Sequence, residues 1–358
     1  MDDIPDARAI PQPVLEQMIR EIEPNLELYD ATPAERGFCT VYRVLVSRNG
    51  ESEVNYAKAS PDDNDWGISA EARIQAVLSE LTSIPVPDVF GVTDDHEFLP
   101  APYYLMSALP GDEENYESVS RIESDVLRRL AREIGMYLGE LHGVQAVDGF
   151  GHVQYDGPRS PGERPDGDPA SLTTTDGGEP WPMFLRSYMD RELDRHEESK
   201  FSNLTSELTR SLRTAIEGLE KPFTPVLGRN DHGLHNLLLD SDTGEVTGML
   251  DWAYTLAVPP AFDFEFAVYL FSGAFLAGLP DVQDRRPLVR EAMLSGYGTT
   301  APDRLNHVSD PEPLYEALAM VRIMNDFHHL EIPTGQEDDV ADRIEADART
   351  LLNLNNPR

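Results

Sequence analysis

A single cysteine, Cys39, and only three lysines among 29 basic residues are what this 358-residue chain is poorest in. One thiol cannot close an intramolecular disulfide or build a cysteine-rich zinc site, so neither kind of staple is available to the fold. No run of about 18 or more consecutive apolar residues occurs, which argues against a membrane-spanning helix. Met1-Asp2-Asp3-Ile4-Pro5 carries no basic stretch leading into an apolar core, so no secretory signal is expected and the expected location is the cytoplasm. Neither a Gly-x-Ser-x-Gly elbow nor a His-Glu-x-x-His pair is present, which leaves two common hydrolase chemistries without support.

The scarcity of positive charge is matched by an excess of acid: 65 Asp and Glu against 29 Lys and Arg, a formal net charge of −36. The acids are spread along the whole chain and do not form a tail. Such a field repels nucleic acid and anionic membranes at ordinary salt, so neither is expected as a partner. It also strains the folded state by self-repulsion unless concentrated salt shortens the Debye length to about 3 Å. The expectation is a protein built for a very salty cytoplasm, as in halophilic archaea. The length fits two domains or one bilobed unit.

The most informative stretch is Arg229-Asn230-Asp231-His232-Gly233-Leu234-His235-Asn236, followed by Leu237-Leu238-Leu239, a turn at residues 240–244, and Val246 to Leu250 leading to Asp251-Trp252. A polar loop, a short apolar strand, a turn and a returning strand form a hairpin that holds two carboxylates and one amide at the same end. That set suits phosphoryl transfer, which asks the protein for positioning and charge more than for covalent chemistry. Asp231 would take the acceptor hydroxyl proton, while Asn236 and Asp251 would hold Mg2+. The plainer reading makes Asp231 a turn residue and Asp251 a strand-end cap.

Upstream, residues 11–23 have helical apolar spacing. A β-rich stretch, 37–46, turns at Asn49-Gly50 and returns through Val54 to Lys58. Lys58 shares a strand face with Val54 and Tyr56 and would either snorkel to solvent or meet an anion in a cleft; its retention in so lysine-poor a chain favours the anion. A helix over 69–81 follows, then an extended edge segment at 84–89 that its two prolines weaken, and a strand at 102–106. Ser120 with Glu123 forms a capping box for a long helix ending near His142. Residues 151–180, rich in Gly, Pro and Asp, read as a loop or lid. Residues 181–219 read as helical with a break near Lys200-Phe201, and further helices follow the central hairpin near 284–296, 311–331 and 337–353.

In order and spacing, residues 30–275 resemble the aminoglycoside phosphotransferase and choline kinase family, relatives of protein kinases. The resemblance implies an α+β, bilobed protein-kinase-like fold: a small antiparallel-sheet lobe with one inserted helix (1–108) and a larger, mostly helical catalytic and acceptor-binding lobe (109–358). It implies that Gly37 sits in a hairpin over the nucleotide, that Lys58 binds the α- and β-phosphates, and that Glu71 pairs with Lys58. Backbone groups of Ser107 to Leu109 would meet adenine, and Asp263 would support the catalytic loop. The implied cofactors are ATP and Mg2+, and the implied partner is a small molecule bearing a hydroxyl, such as an amino sugar or amino alcohol. The chain departs from the family pattern where His-Gly usually precedes the catalytic Asp: here the pair is Arg229-Asn230. Leu234-His235 likewise replaces Pro-Gly before the Asn. These changes motivate a second reading, a nucleotide-binding pseudokinase acting through a protein partner. His232 and His235 lack a cysteine partner for a zinc site and are expected in polar support or substrate contacts. His328-His329 are expected on a surface helix face, with a place in the acceptor pocket as the alternative.

Overall fold

The computed structural model describes residues 9–34, 39–62, 64–113, 122–175, 179–220, 222–240, 242–279, 282–330, 332 and 334–352. Helix α1 (Gln12–Ile22) begins on a proline and buries Leu15, Met18, Ile19 and Ile22, the apolar positions a helical period brings to one face. It packs beneath a five-stranded antiparallel sheet of β1 (Leu26–Pro33), β2 (Thr40–Arg48), β3 (Glu51–Ala59), β4 (Val89–Thr93) and β5 (Tyr103–Ser107), in the order β1-β2-β3-β5-β4. Asn49 and Gly50 both take positive φ in the two-residue turn between β2 and β3, the geometry that matches a hairpin's twist. Helix α2 (Ile68–Leu81) is inserted between β3 and β4.

Two local expectations change. The sheet has one more strand than the sequence showed, because much of β1 is solvent-facing and only Leu26 is fully buried. The edge strand starts at Val89, not at residue 84, since Pro85 and Pro87 have no N–H for a ladder. The Pro85 carbonyl instead accepts from the Met249 N–H at 2.7 Å, joining the two halves of the molecule. Gly37 lies outside the described residues, as does Ser120. Helix α3 (Ser124–Leu141) begins with no side-chain cap from Glu123.

Beyond the sheet, β6 (Asp112–Glu113) crosses over to pair with β10 (Leu237–Leu239), whose other neighbour is β11 (Val246–Met249). Residues 151–180 are not a free loop. They contain β7 (Gly151–Tyr155) and β8 (Leu172–Thr174), which extend a second sheet made with β9 (Val226–Gly228) and β12 (Leu256–Val258). The stretch between β7 and β8 returns to the small lobe: the Val92 N–H donates to Glu163 O at 3.0 Å and the Gly162 N–H to Thr93 Oγ1 at 2.9 Å. A strand this short is defined by its distant partner, which local composition cannot reveal.

The large lobe is completed by α4 (Trp181–His196), α5 (Thr205–Glu217), α6 (Pro260–Phe271), α7 (Arg286–Thr300), α8 (Pro313–Asn325) and α9 (Glu337–Leu351). Helix α6 is mostly apolar and almost wholly buried, with Phe264 in one core cluster and Phe262 and Phe266 in another. Helices α3 and α7 touch backbone to backbone at Gly135, Gly139 and Gly296.

Candidate active site

The end of β3 sets Lys58 inside the molecule, 7% exposed, with Tyr104 of β5 directly opposite it. Its ammonium lies 2.7 Å from Glu71 Oε2 and 2.9 Å from Oε1, and it donates to Asp251 Oδ1 at 3.2 Å. Burial works against the charged amine, but Asp251 and Glu71 outweigh it and hold Lys58 protonated, well above its ordinary range. Burial pushes the Glu71 carboxyl up, while Lys58 pulls it back. Glu71 Oε1 also accepts from the Trp252 N–H at 3.1 Å, so one carboxylate fastens α2 both to the lysine and to the residue after Asp251. Lys58, Glu71 and Asp251 are therefore brought together, with a direct ion pair joining β3 to the residue that follows β11.

Asp251 follows β11 at φ 58, with its side chain half exposed. Asn230 is also left-handed, at φ 66. Asp and Asn tolerate this region better than other residues with a side chain. Between these two positions runs the loop that presents Asp231, whose Oδ1 accepts from the Gly233 N–H at 3.2 Å. Its Oδ2 has His235 Nε2 and Arg322 Nη2 each at 3.7 Å. Burial would raise the Asp231 carboxyl, but His235, Arg322 and Arg229 outweigh burial and keep it well below the usual carboxylate range. It is ionised at any working pH.

Asn236 ends a single 3-10 turn, Leu234–Asn236, and enters β10. Its carbonyl accepts from the Leu250 N–H at 2.8 Å, so the amide and Asp251 are held by adjacent rungs of one hairpin. The Asn236 amide nitrogen is buried with no hydrogen-bond partner among the described residues, leaving that side chain uncommitted to internal bonding. An amide oxygen and a carboxylate are hard oxygen donors. Magnesium is usually held by one or two carboxylates together with phosphates and water, so the residues present fit it. Among the described residues no group of three or more His, Cys, Asp or Glu forms a metal cluster.

Three residues to which the sequence reading gave no role, Arg229, His142 and Arg322, join Asp263 in holding this loop. Arg229, 1% exposed, donates to Asn236 O at 3.1 Å and Leu250 O at 2.6 Å, and its guanidinium lies 5.2 Å from the Trp252 ring centroid. It clamps the backbone of both proposed metal-holding positions. Asp263, wholly buried on α6, accepts from the Asn230 N–H at 3.1 Å and lies 2.8 Å from His232 Nε2 and 3.2 Å from His142 Nε2. Burial alone would raise Asp263, but His232 and His142 hold it below the usual range. Asp263 thus faces the loop from inside the first turn of α6 and does not cap that helix. Arg322 donates to Asn230 O at 2.6 Å. None of His142, Arg229 and Arg322 has a local signal of this role, because each meets its partner only through tertiary packing.

Ser107 closes β5: its hydroxyl accepts from the Asp88 N–H at 2.9 Å, and its own N–H donates to Asp88 O at 2.9 Å. Leu109 lies between this strand and β6, half-buried, with its methyl group close to Gly248. His328 and His329 are exposed on a short 3-10 turn.

No curated protein sequence matches the chain. Its fold matches solved structures over nearly the whole length. A protein from Ralstonia eutropha assigned as an aminoglycoside phosphotransferase aligns with a TM-score of 0.64 at 15% identity, covering 96% of this chain and 98% of that one. A thermostable variant of APH(4)-Ia, in ternary complex with AMP-PNP and hygromycin B, aligns with a TM-score of 0.55 at 14% identity, covering 96% and 99%. APH(2'')-IIIa, in complex with GDP and kanamycin, also gives 0.55 at 14% identity, covering 95% and 98%. At these identities the likeness concerns the fold, which is the protein-kinase-like fold of aminoglycoside phosphotransferases. Residues 41–308 match the model of the phosphotransferase enzyme family, and with three quarters of its length so matched the chain belongs to that family.

Proposed function

We propose that this protein transfers the γ-phosphate of ATP to a hydroxyl group of a small molecule, with Mg2+ as cofactor. The observation that carries the reading is the contact of Lys58 with both Glu71 and Asp251, which joins a small-lobe cation to the large-lobe hairpin bearing Asn236 and, one loop earlier, Asp231. The neighbours bound to AMP-PNP and GDP support a nucleotide in the cleft, and those bound to hygromycin B and kanamycin support a hydroxyl-bearing acceptor.

Lys58, oriented by Glu71, neutralises the α- and β-phosphates, while the backbone between Ser107 and Leu109 meets the adenine. Asn236 and Asp251 hold Mg2+, which supplies charge neutralisation to the phosphate oxygens when bound. Asp231 accepts a hydrogen bond from the acceptor hydroxyl. As the new O–P bond forms and the bond from the γ-phosphorus to ADP breaks, the hydroxyl proton passes to Asp231 and the electron pair leaves with ADP. Because Asp231 is so weak a base, its part before transfer is to orient the hydroxyl, and the proton arrives late. Arg229 and Asn230 do the work of the usual His-Gly by other means: a buried clamp and a left-handed asparagine. That intact geometry favours an enzyme over a pseudokinase. The acidic surface supports a protein that works in concentrated salt inside the cell.

ADP release measured in molar KCl across a panel of amino sugars, amino alcohols and other hydroxyl compounds tests the reading. Asp231→Asn should lower kcat by about 10²–10⁴-fold while leaving ATP binding within a factor of a few. Full activity in that variant would refute the role of Asp231. Tight ATP binding with no ADP from any acceptor would favour the pseudokinase.

A further inference from the structure

Asp231 is positioned by a residue from well outside its own loop. Arg322 leaves the last turn of α8 with Nη1 on the Asn230 carbonyl at 2.6 Å and Nη2 3.7 Å from Asp231 Oδ2. The carbonyl it takes belongs to the left-handed residue, whose N–H is held from the opposite side by Asp263 at 3.1 Å. A non-glycine residue in that region persists only when its surroundings fix it, and here two charged side chains from α8 and α6 do so. The guanidinium is desolvated on most sides, with Tyr188, Glu192 and Asp326 as its other charged or titratable neighbours.

We propose that Arg322 is a positioning residue for transfer, fixing the Asn230 peptide and thereby the direction in which Asp231 offers its carboxylate to the acceptor hydroxyl. This rests on the proposed role of Asp231. A fixed cation also weakens the carboxylate as a base, so Arg322 trades proton affinity for orientation. The groups facing Asp231 are Arg322 from α8, His235 and the Gly233 N–H from its own loop, and Arg229 from beneath. Of these, Arg322 combines a permanent charge with a hold on the neighbouring peptide.

Arg322→Gln and Arg322→Lys separate this role from a structural one. Kinetics would follow ADP release with water as acceptor, and with any hydroxyl compound that the panel yields. Arg322→Gln should lower kcat by about 10–10²-fold, with the affinity for a fluorescent ATP analogue unchanged within about twofold. Its kcat should also gain an acid limb within the working pH range, where the parent, with Asp231 held ionised, shows none. Arg322→Lys should abolish that limb and restore part of kcat. Arg195→Gln removes a surface ion pair to Glu192 and Asp326 on the same seam and should shift neither quantity. An equal loss at every pH in both Arg322 variants, or no loss in either, overturns the proposal.

A thermal melting cycle of the parent, Arg322→Gln, Asp231→Asn and the double variant reads the coupling without catalysis. Substituting Asp231 should reduce the effect of substituting Arg322, with the part due to the Asn230 carbonyl remaining, whereas strictly additive shifts in Tm overturn the proposal. If the parent releases no ADP with any acceptor, the phosphotransfer reading fails while the melting cycle still decides whether Arg322 and Asp231 act together.

Discussion

At the scale of single residues, the site uses charge sparingly and buries the part that counts. Lys58 and Glu71 sit inside the molecule, whereas Asp251 keeps half of its side chain open to solvent. A buried ion pair of this kind stabilises little by itself, since desolvation consumes most of the attraction. On the proposed function, its value lies in fixing the ammonium where phosphate oxygens would arrive. Asp251→Ala should therefore abolish Mg2+-dependent nucleotide binding, measured by titration of a fluorescent ATP analogue with and without Mg2+, and leave weak Mg2+-independent binding through Lys58. Unchanged Mg2+ dependence would remove Asp251 from the metal site. The residue types at these positions were readable because few chemistries ask for Lys, Glu, Asp, Asn and Asp in that order. Arg229, His142 and Arg322 were not readable: an arginine or histidine bonded to a distant backbone or carboxylate leaves no local pattern.

At the scale of elements, close helix packing decides how the large, helical half is braced. A Cβ on Gly135 would run into the Met293 backbone, and one on Gly296 into the Arg132 carbonyl. Two effects oppose each other in Gly135→Ala. Replacing a helical glycine gains about 1 kcal/mol of propensity, whereas forcing α3 and α7 apart costs about 1–3 kcal/mol or more. The obstacle is backbone and cannot rotate away, so the variant should be less stable, by a net of up to about 2 kcal/mol, in chemical denaturation. A more stable variant would show that the seam is looser than the structure indicates. The long amphipathic helices were legible from apolar spacing, to within a few residues at their ends. The short strands β1, β7 and β8 were not, since three to eight residues gain strand character only from the neighbour they pair with. The Gly- and Pro-rich stretch read as a lid is anchored to β4 for the same reason.

At the scale of the whole molecule, the net charge of −36 sets the conditions under which everything else operates. Ion pairs such as Arg73 with Asp94, at 2.6 Å, neutralise only part of the acid excess. Screening must do the rest. Thermal melts from 0.15 M to about 2 M KCl should show Tm rising steeply over the first molar, as self-repulsion is screened, and more gradually thereafter. Salt-independent melting would sever the link between surface acidity and a salty interior. No described helix is long and apolar enough to cross a membrane, in keeping with the sequence's lack of apolar runs.

The order of chemistry-bearing residues, the helical periods and the overall charge are properties of the linear chain, because each depends on residue type and near neighbours alone. The sequence therefore determined the fold class, the family and the candidate residues. Only tertiary structure decided that Lys58 meets Asp251 at 3.2 Å, that Asp263 and Arg322 hold the two peptides flanking Asn230, and that a stretch between β7 and β8 ties the lobes together. These contacts join residues far apart in the chain, and the free energy that selects them comes from packing and burial shared across the whole molecule.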